Sequence, residues 1–297
     1  MILLREKGHH CLKCTVLHAL LALAFLLLAG CRQDAAPDTV KVMSFNIRVS
    51  PDDGFDGENS WAVRKEGCIE MIRDVEPDLF GVQEGLCRQV RHLVDNLPEY
   101  GSHGIGNEAD DTGETNAVFY RKDRFELVDK GTFWLSETPG EASCGWDGAY
   151  KRVVSWVRLK DLARGGEVFF FNTHFDHMGK VAREQSGRMV VEAIRSMTGG
   201  GDCPVFLVGD FNANHDDHIL DPIREYMGMA REDAPTSDAL NTYHAWKTID
   251  DNAGGSIIDH IFYRNARPLE YVTWTKGYGL GCISDHYPVY GVFGLHD

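Results

Sequence analysis

The chain has 297 residues, with 30 Lys and Arg against 45 Asp and Glu, for a formal net charge of −15. That balance excludes a broad basic face, the usual basis of tight non-specific binding to a nucleic-acid backbone. It leaves a nuclease possible, because a metal ion and a few arginines reverse the potential inside a cleft.

The first segment reads as an export signal rather than as part of a fold. Arg5, Lys7 and Lys13 form a basic start, Val16 to Leu28 is almost unbroken apolar sequence, and Leu28-Ala29-Gly30-Cys31 closes it. This is the order of a secretory signal, and the apolar run is short for a membrane span, which needs about 20 residues. A cysteine directly after Leu-Ala-Gly is similar to a bacterial lipobox, which implies cleavage before Cys31 and lipidation there. The competing readings are an uncleaved anchor and a plain signal peptide with an incidental cysteine. Residues 31–39 then form a short polar tether, and 40–297 a single domain with no internal repeat, long enough for a proper core. The expected location is the bacterial cell envelope, with the membrane engaged through the lipid alone.

Cys68, Cys87, Cys144, Cys203 and Cys282 remain in the body. The odd count leaves at least one thiol unpaired. With no C-x-x-C pair there, a thiolate zinc site is not expected. Cys68 and Cys203 sit in apolar stretches and read as core.

Val40 to Ile47 alternates and is rich in β-formers, so it predicts a strand. Trp61 to Asp74 carries Trp61, Cys68, Ile69, Ile72 and Val75 near helical spacing, with Ser60 as N-cap. Asp78 to Gln83 reads as a buried strand ending in Glu84, and Arg88 to Leu97 as a helix. Strands follow at Asn116–Tyr120, Phe125–Leu135, Val153–Leu159 and Val168–Thr173. Arg183 to Met197 is a helix stopped by Gly199–Gly201. Val205 to Val208 is a buried strand, then Ile219 to Met227 a helix. Strands at Ile257–Tyr263, Tyr271–Trp274 and Val289–Phe293 close the chain. Strands dominate and the helices must cover sheet faces, so the expected architecture is α+β, two packed sheets with helices outside each. Tryptophans 61 and 134 read as core. Arginines 64, 183 and 188 read as solvated, and Asn214 to Asp217 as a polar turn.

The most informative stretch is Gly209-Asp210-Phe211-Asn212 after the apolar run. Strand alternation places Asp210 and Asn212 on one face and Phe211 on the other. A carboxylate and an amide on a rigid strand end suit water activation and phosphate orientation. Phe45-Asn46-Ile47-Arg48, Gln83-Glu84, Asn172-Thr173-His174, Ile258-Asp259-His260-Ile261 and Ser284-Asp285-His286 occur with it, in this chain order. Together these blocks, spanning about 40–297, resemble the endonuclease/exonuclease/phosphatase superfamily, whose members include deoxyribonuclease I, inositol-polyphosphate 5-phosphatases and neutral sphingomyelinases.

The resemblance implies a four-layer α/β/β/α sandwich and hydrolysis of phosphate esters assisted by Mg2+ or Mn2+. It makes Glu84 the principal metal ligand, with Asn46 and Asp285 beside the metal. It assigns His174, Asp210, Asn212, Asp259 and His286 to catalysis. Asp259 orients the His286 imidazole and raises its basicity, and either Asp210 or His286 takes the proton of the attacking water. Asn46, Arg48 and Arg152 are candidates for binding phosphate; Arg48 stands where apurinic endonucleases carry a carboxylate, which argues against a second acidic metal site there. His177 has no counterpart in the family and reads as loop.

The expected function is a metal-dependent hydrolase of phosphate esters, with a phosphodiesterase or nuclease placed first. A phosphomonoesterase of sugar or inositol phosphates, or a sphingomyelinase-like phospholipase C, is the alternative. An inactive surface binding module is the rival from another class. The substrate is a small phosphate ester or an oligonucleotide, and the protein is expected to act as a monomer without an obligate protein partner.

Overall fold

The computed structural model describes residues 39–295, apart from positions 53, 111 and 249–253. The segment read as an export signal, Cys31 and nearly all of the stretch read as a tether lie outside the described residues; Thr39 already belongs to the first strand. No helix among the described residues is long and apolar enough to cross a membrane.

Two six-stranded sheets carry the fold. The first has the order β11-β12-β1-β2-β4-β3, the second β5-β6-β7-β8-β10-β9. In chain order the strands are β1 Thr39–Asn46, β2 Leu79–Gly85, β3 Tyr100–His103, β4 Thr115–Arg121, β5 Phe125–Trp134, β6 Val153–Asp161, β7 Glu167–His174, β8 Val205–Asp210, β9 Gly228–Met229, β10 Asp259–Arg264, β11 Arg267–Thr273 and β12 Val289–Gly294. Helices α1 Trp61–Val75 and α2 Cys87–Asn96 lie on the outer side of the first sheet, and α3 Lys180–Thr198 on that of the second. The expected α+β architecture of two packed sheets with outer helices is what the chain adopts. Sequence reading missed β3 and β9, which are short. It also extended Ile219–Met227 into one helix, where the chain makes a 3-10 turn and a four-residue helix, Asp221–Arg224, before β9.

Alternation within each strand sorts the apolar residues into three layers. Val40, Val42, Leu79, Val118, Phe170, Phe206, Val208 and Ile261 fill the space between the sheets. Their odd-numbered neighbours Met43 and Phe45 meet Cys68, Ile69 and Ile72 of α1. Phe169, Phe171 and Leu207 meet Val190, Val191 and Ile194 of α3. Every apolar position assigned to the face of α1 is buried. Ser60 occupies the N-cap but makes no side-chain cap; its backbone carbonyl accepts from Val63 and Arg64. All five described cysteines are free. Cys68 is fully buried, and Cys203 packs half-buried against the α3 layer.

One polar cluster crosses the apolar layer between the sheets. Asn172 of β7 reaches into the first sheet. Its Nδ2 donates to the carbonyls of Val82 (2.8 Å) and Ala117 (2.9 Å), and its Oδ1 accepts from Gln83 Nε2 (2.6 Å). Those carbonyls lie where the β2–β4 register slips, between Val82 and Gly85. Gly81 makes the approach possible, since a Cβ there would lie 2.5 Å from the Asn172 amide. Asn172 therefore locks the two sheets together just below the polar end of the sandwich. Asn172→Ala takes a donor from two carbonyls and leaves the Gln83 amide only Ser44 Oγ (3.1 Å) in a dry interior, and such unmet groups cost about 1–3 kcal/mol each. We expect a loss of ~2–4 kcal/mol, read as a lower urea midpoint with unchanged m-value.

Candidate active site

The inward-facing positions turn from apolar to polar at one end of the sandwich. His174 pairs with Asp210 across β7 and β8, and Asp210 with Asp259 across β8 and β10. Three polar side chains therefore stand in one row, on the face opposed by the first sheet. Gly209 permits the close β7–β8 contact before the row: a Cβ there would fall 2.2 Å from the Thr173 carbonyl oxygen.

The opposite wall comes from the ends of β1 and β2. Asn46 Nδ2 donates to Glu84 Oε1 and to Asp210 Oδ2, each at 3.0 Å, so one amide clips a carboxylate from each sheet. Its Oδ1 accepts from the Arg48 backbone N–H at 3.0 Å. Glu84 sits in the slipped register of β2 with φ of 61°, an uncommon left-handed conformation for a residue with a side chain. The bulge turns its carboxylate toward Asn46 and the Val49 N–H (2.8 Å). Arg48 (φ 59°) and Asn212 (φ 48°) share that conformation. Such strain concentrates where surrounding contacts over-determine a site.

Asn212 reaches the site by a different route from the one alternation suggests. β8 ends at Asp210, and a left-handed turn at Asn212 returns its amide to His174 Nε2 (3.0 Å) and to the Phe175 carbonyl (2.9 Å). The Asp210 Oδ1 atom accepts from the Asn212 N–H at 2.9 Å. Phe211 points away, into the α3 layer.

The third wall is the Ser284-Asp285-His286 segment before β12. Ser284 Oγ donates to the Asn46 carbonyl at 2.7 Å. His286 Nδ1 lies 2.8 Å from Asp259 Oδ2, and its Nε2 3.7 Å from Asp210 Oδ2. Arg64 ties this wall to the first. It is 1% exposed, not solvated as its sequence context suggests. Its guanidinium donates to the carbonyls of Ile47, Arg48 (2.9 Å), Asn59 (2.7 Å) and Ile283 (3.3 Å), between the rings of Trp61 and Trp246.

These walls form an open cavity of about 420 Å³ that contains Glu84, His174, Asp210, Asn212, Asp285 and His286 in its lining. Arg48 and Arg152 also line it, each already engaged. Arg48 Nε is 3.0 Å from Asp56 and 3.8 Å from Asp285. Arg152 is 7% exposed and points Nη1 at His174 Nδ1 (2.9 Å) and Glu114 (3.4 Å). Sequence reading passed over Glu114, Tyr150 and Tyr243 and set His177 aside as loop; all four line the cavity as well. Nothing in their local sequence marks them, because each arrives from a loop or strand edge through tertiary contacts alone. Asp176 was missed too. Its buried carboxylate accepts from four backbone N–H groups, those of Ala149, Tyr150, Met178 and Gly179, fastening the 149–150 loop to the approach of α3.

Crowded carboxylates set the electrostatics. Burial, reinforced by Asp259 and Glu84, pushes Asp210 up to about 7. Burial together with Glu84 raises Asp285, and the same two causes bring Glu114 to about 6. Burial alone would depress His286, but the charge and hydrogen bond of Asp259 outweigh it and lift the imidazole to about 10. Ligand atoms of Glu84, His174 and Asp210 lie within 4.8 Å of one another, and so do those of Asp210, Asp259 and His286. Mutually repelling carboxylates converging with an imidazole in each set could hold a divalent cation, whose charge would favour the ionised carboxylates.

The model of the Endonuclease/Exonuclease/phosphatase family matches residues 43–286. Among solved structures, a mannosyl-6-phosphatase of Bacteroides thetaiotaomicron is 33% identical, covers 85% of this chain and 98% of its own, and superposes with a TM-score of 0.80. An endonuclease/exonuclease/phosphatase of Bacteroides vulgatus is 32% identical over 87% of this chain and 99% of its own, with a TM-score of 0.81. A Danio rerio TDP2 bound to a single-stranded DNA product, at 18% identity, 86% and 98% coverage and a TM-score of 0.68, shares the fold. No curated protein matches the sequence.

The Asp259–His286 pair makes a pH-dependent contribution to stability with a definite sign. The folded imidazole titrates near 10 and the unfolded one near its ordinary 6.5. The stabilisation is therefore complete below about pH 6.5 and lost as pH rises toward 10. Asp259→Asn removes the charge and hydrogen bond that do most to offset burial, leaving Asp210 and Asp285 alone against it, so the His286 pKa should fall well below 10. Histidine proton chemical shifts followed against pH would show the change, and a His286 pKa unmoved by Asp259→Asn would mean that the two are not partners.

Proposed function

The chain is a member of the endonuclease/exonuclease/phosphatase family, and from that premise we propose that it is a divalent-metal-dependent phosphomonoesterase acting on a small phosphorylated sugar. The observation that carries the reading is the mixed-charge cavity of about 420 Å³, set in a chain with a net charge of −15. A cavity of this size suits a small ligand, and an acidic body offers no track for a long polyanion. The sequence by itself puts a phosphodiester first. The cavity, together with a relative described as a mannosyl-6-phosphatase at 33% identity, reverses that order.

Glu84 and Asp285 would hold Mg2+ or Mn2+ with Asn46 alongside, and the metal would neutralise charge on the phosphoryl group. The remaining work falls to the chain itself. His286, protonated and braced by Asp259, offers positive charge to the phosphoryl oxygens. His174 and Asn212 present donors on the opposite side, positions suited to oxygens that gain charge in the transition state. Asp210, whose carboxylate the Asn46 amide holds at the cavity, would accept the proton of an attacking water. Asn46 holds that carboxylate in register with Glu84. Arg48 stands at the mouth, its guanidinium balanced between Asp56 and Asp285, where it can meet an incoming phosphate.

Glu84→Gln and Asp210→Asn should each lower kcat by at least ~100-fold without unfolding the protein. Chelation should abolish activity and Mg2+ or Mn2+ restore it. The deciding measurement is kcat/KM on a panel of hexose 6-phosphates, inositol phosphates, bis-p-nitrophenyl phosphate and plasmid DNA. Preference for a monoester supports the proposal. Preference for plasmid, with a steep salt dependence, would replace it with a nuclease, and inactivity on every member would favour a binding module.

We further propose that the protein is exported and held at the bacterial envelope through lipid on Cys31, on the strength of the basic, apolar and Leu-Ala-Gly-Cys order of residues 1–31. The acyl chains of a lipoprotein anchor firmly where a single chain does not. Cys31→Ala should therefore release the protein from the membrane fraction and abolish labelled-palmitate incorporation.

A further inference from the structure

Tyr150 lines the cavity and is 54% exposed, yet its backbone is held on both sides. Its N–H donates to the buried Asp176 carboxylate at 2.9 Å, and its carbonyl accepts from the Cys144 thiol at 3.3 Å. The Arg152 guanidinium lies over its ring, 5.5 Å from the centroid. The His177 ring stands 5.4 Å away at an interplanar angle of 34°. Asp176 fixes that side as well, since its second oxygen accepts from the N–H groups of Met178 and Gly179, directly after His177. Two aromatic rings therefore face the cavity on segments that one buried carboxylate fastens together.

The place of this pair decides what it can touch. Arg152 stands between it and His174, with Nη2 3.5 Å from His177 Nδ1 and Nη1 2.9 Å from His174 Nδ1. The rings thus flank the groups that would receive the phosphoryl oxygens without belonging to them, on a side where the alcohol part of a phosphate ester can lie. A tyrosine ring offers a broad, rigid contact surface at low conformational cost. The C–H face of a pyranose matches such a surface, and a short acyclic alcohol does not. Glu114, in the same lining and 3.4 Å from Arg152 Nη1, supplies acceptors for hydroxyl groups and repels a second phosphate. Resting on the phosphomonoesterase reading above, we propose that Tyr150, backed by His177, is the specificity-determining platform of this site: it stacks against the face of the sugar ring that bears the phosphate and selects a cyclic, otherwise uncharged leaving group. A nucleobase also stacks on tyrosine, but an oligonucleotide would bring its further phosphates past Glu114.

The test compares substrates that share the phosphate and differ in the ring. One is whichever of glucose, mannose and galactose 6-phosphates the unaltered protein hydrolyses best with Mg2+; the other is glycerol 3-phosphate. Tyr150→Ala should raise KM for the hexose phosphate about 10-fold, the scale of one aromatic contact. Its kcat should hold, because the contact is lost equally from the ground state and the transition state. KM and kcat for glycerol 3-phosphate, and inhibition by inorganic phosphate, should stay as they are. Tyr150→Phe keeps the ring and should match the unaltered protein. Tyr150→Leu keeps bulk over Arg152 without an aromatic face and should repeat the selective loss, so the question is decided even if Tyr150→Ala fails to fold. An unchanged KM for the hexose phosphate in both variants overturns the proposal. So do equal losses on both substrates with weakened phosphate inhibition, which would mean that Tyr150 serves only to hold Arg152. An unaltered protein that cleaves DNA but neither monoester overturns the phosphomonoesterase reading and the sugar platform together, a result distinct from loss of the platform alone.

Discussion

Everything at the site depends on the register of three strands. His174, Asp210 and Asp259 are direct neighbours across β7, β8 and β10. A slip of one residue in β8 would send Asp210 to the α3 side and bring an apolar residue into the row. The apolar interior enforces the alignment. Phe170, Phe206, Val208 and Ile261 lie on the same faces as the row and are fully buried between the sheets. The residues that make the core also determine which way the polar ends point.

Once the row is set, its chemistry follows from crowding. Asp210 stands among Asp259, Glu84 and two imidazoles with almost no exposed surface. The protein relieves the repulsion locally. Asp259 is matched by His286, and the Asn46 amide donates to Glu84 and Asp210 at once. The elevated proton affinity of Asp210, and the readiness of the cluster to take a divalent cation, are two consequences of one arrangement. The left-handed conformations of Arg48, Glu84 and Asn212 are local costs of bringing these groups together.

The supporting contacts lie where no motif marks them. Arg64 gathers four carbonyls from the end of β1, the loop before α1 and the segment before Ser284. Asn172 bridges the sheets beneath the cavity. Asp176 secures the loop that carries Tyr150. Each is a buried polar group with several partners, the situation in which removing one member leaves the others unsatisfied at full desolvation cost.

Much of this protein was legible in the order of its residues. Alternating apolar runs yielded most of the strands of the two-sheet core, and helical spacing identified the buried face of α1. The Asn-Ile-Arg, Gln-Glu, Asn-Thr-His, Gly-Asp-Phe-Asn, Ile-Asp-His and Ser-Asp-His blocks marked the strand ends that meet in one cavity. These are local properties, since periodicity and strand-end chemistry act over a few residues. Tertiary structure alone decided that Asn212 enters through a left-handed turn and that Arg64 is buried. It also brought Glu114, Tyr150 and His177 to the cavity and turned Arg152 toward a histidine. Those outcomes depend on contacts between residues tens to hundreds of positions apart. Hydrogen-bond satisfaction in a dry interior selects such contacts, and no short stretch of sequence contains both partners.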